Sequence, residues 1–105
     1  MLTVDQSYHG RSVDLSVGQV MELRLPENPT TGFAWSFQSD GGPACAIVSE
    51  QFFGSGSRPG QGGEHTWLVR GVHVGTCQFK LAYRRSWEPA APSPEVFQLK
   101  VKVTP

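Results

Sequence analysis

Three histidines, His9, His65 and His73, and two cysteines, Cys45 and Cys77, are the side chains of this 105-residue sequence best suited to nucleophilic or metal chemistry. Nucleophilic catalysis needs a base beside the nucleophile, and a zinc site needs about four clustered ligands. The histidines are scattered and the cysteines lack the second pair of a zinc ribbon, so neither chemistry is expected. His65 and His73 fall in or beside strands and are read as solvated surface side chains; the cysteines are read as two buried thiols in preference to one bridge. Gly54-Ser55-Gly56-Ser57-Arg58-Pro59-Gly60 has the wrong spacing for a phosphate loop and no helix follows to hold the anion. Asn28-Pro29-Thr30 is no glycosylation acceptor, because proline occupies the middle position. The chain reads as a non-enzyme with no cofactor and no metal.

Recognition chemistry is better represented. Asn28-Pro29-Thr30-Thr31-Gly32 combines a residue with fixed φ, a glycine able to take positive φ and side chains that bond their own backbone, which makes a stiff loop. A preordered loop loses little entropy on binding. Gly54 to Gly63 contains Gly60-Gln61-Gly62-Gly63, where main-chain donors and acceptors are open to another chain. Arg84-Arg85-Ser86-Trp87-Glu88, followed by Pro89, Pro92 and Pro94, carries residue types that dominate interface hot spots.

The elements that must position these loops are strands. Met21, Leu23 and Leu25 alternate with Val20, Glu22 and Arg24, and Phe33, Trp35 and Phe37 with Ala34, Ser36 and Gln38, so the latter segment has an aromatic face. In 65–70 the apolar face holds Trp67 and Val69, with Leu68 opposite. Cys77, Phe79, Leu81 and Tyr83, then Phe97, Leu99, Val101 and Val103, give the two clearest alternations and are expected as central strands. Val13, Leu15 and Val17 form a short run, and Ile47 to Phe53 a weaker one. Seven or eight strands with no helix, divided by turns rich in the twelve glycines and eight prolines, predict an all-β, immunoglobulin-like antiparallel β-sandwich forming a single domain over 1–105. The antibody-type disulfide is not expected, since Cys45 lies outside the strand that should pair with Cys77. Two strands separate each of the three loops from the next, and in an antiparallel order that parity sends all three to one end.

Nine Lys and Arg balance nine Asp and Glu, and only Arg84 and Arg85 are adjacent, so no nucleic acid or anionic surface is expected as a partner. The longest apolar run, Ala44 to Val48, is far below the ~20 residues that span a bilayer, so no membrane is expected. The start of the chain shows no signal peptide. The compartment is periplasmic or extracellular if a signal has been removed and otherwise cytoplasmic. A monomer is the expected state.

At these loops the sequence resembles the chagasin family, inhibitors of papain-like cysteine proteases. Asn28-Pro29-Thr30-Thr31-Gly32-Phe33-Ala34-Trp35 carries the family's most distinctive motif intact, Gly60-Gln61-Gly62-Gly63 fits its glycine loop, and Tyr83 to Trp87 occupies its Arg-Pro-Trp region. The resemblance implies a sandwich whose loops 28–33, 54–63 and 84–89 enter the protease cleft and bind reversibly and tightly. Thr30 and Thr31 would meet the catalytic Cys and His, Gly60 to Gly63 would lie along the non-primed side, and Arg85 and Trp87 would cover the primed side. Ser86 departs from the family's proline. Losing a compatible proline costs about 0.4 to 1 kcal/mol of preorganisation, whereas truncating a hot-spot tryptophan costs about 2 kcal/mol or more, so Ser86 bears on potency more than on activity. The competing reading is a non-inhibitory immunoglobulin-like module that uses Trp87 to bind a protein or a carbohydrate.

Overall fold

The computed structural model describes residues 1–28, 32–54, 62–85 and 95–105. Eight strands follow in chain order: β1 (Leu2–Val4), β2 (Arg11–Ser16), β3 (Val20–Glu27), β4 (Phe33–Asp40), β5 (Cys45–Gly54), β6 (Gly63–Gly71), β7 (Gly75–Arg85) and β8 (Glu95–Thr104), with one 3-10 turn at Gln6–Tyr8. They form two four-stranded sheets, ordered β1-β3-β6-β5 and β2-β8-β7-β4. The expected sandwich is therefore present.

Period-two patterning builds the core. Met21, Leu23 and Leu25 of β3 and Trp67 and Val69 of β6 are buried from the first sheet, and Phe79, Leu81, Phe97, Leu99, Val101 and Val103 from the second. Each large apolar side chain removed from water stabilises the fold by about 1.5–3 kcal/mol. Trp35 and Phe37 of β4 join this cluster, and the Phe37 ring meets Trp67 edge-on at 5.5 Å across the sheets.

Two features depart from the sequence reading. β1 pairs with β3, and β2 with β8, in parallel, so the sandwich is not wholly antiparallel: the N-terminal segment adds one strand to the edge of each sheet. β2 ends at Ser16, leaving Val17 exposed beyond the alternation of Val13 and Leu15. The weaker candidate at 47–53 is a full strand, β5, whose register slips between Ile47 and Ser49. That slip breaks the alternation that would have marked it.

Cys45 begins β5 and Cys77 lies near the start of β7, in opposite sheets. Both are buried free thiols with Sγ atoms 3.2 Å apart.

Candidate functional site

The three loops of interest join β3 to β4, β5 to β6 and β7 to β8. Of the candidate residues, Pro29, Thr30, Thr31, Gly60, Gln61, Ser86 and Trp87 lie outside the described residues, whereas Asn28, Gly32, Phe33, Gly62, Gly63 and Arg85 lie within them. The strand ends that carry the loops meet at one end of the sandwich. Within the first sheet, Glu27 pairs with Gly63, and Gly63 with Gly54. In the second, Phe33 pairs with Arg85 and Tyr83 with Glu95. The two sheets are joined there by the Asn28 N–H, which donates to Tyr83 Oη at 2.8 Å. A surface hollow of about 270 Å³ is lined by residues from all three junctions, among them Asn28, Gly62, Tyr83 and Glu95.

An aromatic stack stiffens this end. Tyr83 lies 5.3 Å from the Phe33 ring and 4.8 Å from Trp35, centroid to centroid, and the Arg85 guanidinium sits 4.6 Å above Phe33. Aromatic pairs and cation–π contacts of this geometry are each worth about 0.5–1.5 kcal/mol. Two candidate residues from different loops, Phe33 and Arg85, are thus in direct contact. Gly32 has φ +81°, a conformation that L side chains rarely adopt, which explains glycine at the end of the first loop.

Glu27 and His65 were not among the candidates, and both belong to this end of the molecule. The Trp35 N–H donates to Glu27 Oε2 at 3.1 Å, and the Trp35 indole N–H donates to the Pro26 carbonyl at 2.8 Å. His65 is not a solvated surface side chain: it is 15% exposed, with Nδ1 3.1 Å from Glu27 Oε2. Its register partners Leu25 and Phe52 flank it on both sides, and its ring stacks on Trp67 at 4.0 Å. The signal was available, since Glu27 continues the buried phase of Met21, Leu23 and Leu25, and His65 shares the phase of Trp67 and Val69. His73 is exposed, as expected; His9 is exposed too, and its Nδ1 accepts from the Gln98 N–H at 3.0 Å.

Among the described residues no group of three or more His, Cys, Asp or Glu is placed to hold a metal ion, and no helix is long and apolar enough to cross a membrane.

The family model for the chagasin family peptidase inhibitor I42 matches residues 14–101. The chain belongs to the chagasin family. It is 31% identical over 104 residues to Chagasin of Trypanosoma cruzi, covering 94% of each chain. Its fold is similar to the crystal structure of a cysteine protease inhibitor from Entamoeba histolytica, with TM-score 0.86, 19% identity and coverage of 98% of this chain and 95% of the other. It is also similar to PbICP-C, solved in complex with falcipain-2, with TM-score 0.64, 16% identity and coverage of 97% and 89%. The relatives of this chagasin-family chain are thus inhibitors rather than enzymes.

Proposed function

We propose that this protein is a reversible, tight-binding inhibitor of papain-like cysteine proteases that occludes the active-site cleft with loops 28–33, 54–63 and 84–89. The observation that carries this reading is the convergence of all three loop-bearing strand ends at one end of the sandwich, cross-braced between the sheets by Asn28 and Tyr83. Family membership supports the target class, and the complex of PbICP-C with falcipain-2 is a relative of this fold seated on such a partner.

The mechanism requires no reaction of the inhibitor. A tip braced before it meets the enzyme loses little conformational freedom on docking, so more of the contact energy appears as affinity. Thr30 and Thr31 are assigned to the catalytic Cys and His, Asn28, Pro29, Gly32 and Phe33 to the frame of that loop, Gly60 to Gly63 to main-chain contacts, and Arg85, Ser86 and Trp87 to the primed side. Stepwise addition of the protein to papain or cathepsin L at fixed substrate is expected to abolish turnover near equimolar ratio and to be reversed on dilution. Unchanged rates at micromolar protein would reject this reading in favour of a non-inhibitory binding module. Trp87→Ala is expected to weaken inhibition by about 30-fold or more, the cost of truncating a hot-spot tryptophan, with an unchanged Tm.

A further inference from the structure

Glu27 ends β3 at a position where the strand's own alternation calls for an apolar side chain, and it is only 8% exposed. A carboxylate so placed is costly unless its charge is met, and a well-packed apolar residue is often no worse for stability. What an apolar residue could not do is accept a hydrogen bond. Glu27 Oε2 takes the Trp35 N–H, linking a residue on one side of the first loop to a residue on the other. Trp35 belongs to β4, the edge strand of the opposite sheet, so this bond crosses both the loop and the sandwich.

The carboxylate is held in turn. His65 Nδ1 lies 3.1 and 3.3 Å from the two Glu27 oxygens. The imidazole is parallel to the Trp67 indole within 6°, and its Nε2 lies 3.2 Å from Glu50 Oε1. The other Glu50 oxygen accepts from the Trp67 indole N–H at 3.1 Å. Glu50, His65 and Glu27 therefore form a line across β5, β6 and β3 that ends on the backbone of β4. Glu27 also faces Gly63 in the ladder, at the start of the strand that follows the glycine loop.

We propose that Glu27, clamped by His65, is a positioning residue that fixes the separation of the two sides of loop 28–33 and so sets inhibitory affinity. This rests on the inhibitor reading. Loss of the bond leaves the competent loop geometry a minor state, and apparent affinity falls in proportion to its population.

The discriminating variants are Glu27→Leu, which fills the buried space without an acceptor, and Glu27→Gln, which keeps an acceptor oxygen. Inhibition of papain, thermal melting and amide hydrogen exchange at Trp35 are measured for each. Glu27→Leu is expected to stay folded, to lose protection at the Trp35 amide and to inhibit about tenfold more weakly, a competent fraction of about one tenth. Glu27→Gln is expected to keep that protection and to inhibit within about threefold of the parent. Wild-type inhibition by Glu27→Leu, or equal weakening in both variants, would overturn the proposal. Failure of the parent to inhibit papain would instead overturn the inhibitor reading, while Trp35 exchange still reports whether Glu27 holds the two sides of the loop.

Discussion

Tyr83 shows how one side chain serves both stability and the binding end. Its ring lies between Phe33 and Trp35, and its hydroxyl accepts from Asn28. Tyr83→Phe keeps the stack and removes the hydrogen bond, so urea unfolding is expected to show a loss of about 1 kcal/mol, the usual net worth of such a bond. Residue types that encode their own geometry were readable from the sequence: Gly32 does take positive φ. The Glu27–His65 pair was not. Its members are 38 positions apart, and which strands lie side by side is decided by sheet order, of which a linear sequence carries little local trace. The burial of His65, by contrast, is legible in its phase with Trp67 and Val69; only its partner is not.

The strands were legible in proportion to how strictly they alternate. β3, β7 and β8 keep period two against a common core, and β4 does so from Phe33 to Phe37, ahead of its own irregularity between Phe37 and Ser39; all four are legible. β1 has three residues, too few to establish a period, and the Ile47/Ser49 irregularity throws β5 out of phase. The parallel attachment of β1 and β2 escaped notice because pairing direction leaves no mark on local patterning. The β5–β6 junction offers a sharp contrast between adjacent glycines. A Cβ on Gly63 would strike the Phe53 carbonyl and the Gly54 backbone, whereas one on Gly62 would meet the Glu27 carbonyl and Asn28 Cβ at ordinary distances of 3.5 and 3.7 Å. Gly63→Ala is expected to cost about 1–3 kcal/mol, as overpacking does, and Gly62→Ala under about 0.5 kcal/mol, both read from urea midpoints.

Across the whole molecule, the Cys45–Cys77 contact joins the sheets near the end remote from the loops. Burial, reinforced by the hydrogen bond and charge of Cys77, pushes the Cys45 thiol up from 9.0 to about 12. Burial also raises Cys77, partly offset by the hydrogen bond from Cys45. The folded state thus keeps protons that the unfolded chain releases above about pH 9, and stability falls as pH rises from there towards about 12. Under reducing conditions the stability advantage of the parent over the Cys45→Ala/Cys77→Ala variant is expected to shrink between pH 7 and pH 10 in urea titrations. A constant difference would show that these thiols do not couple ionisation to folding.

The partnership of β2 with β8 sets Arg11 beside Leu99 and Ser16 beside Thr104, joining segments from opposite ends of the chain. Contacts so far apart in sequence form late and slowly. During synthesis β2 has no mate until residues 95–104 have emerged from the ribosome, so the second sheet cannot close before then. Until then the inward side of Leu15, buried in the finished molecule, is open to any chaperone within reach.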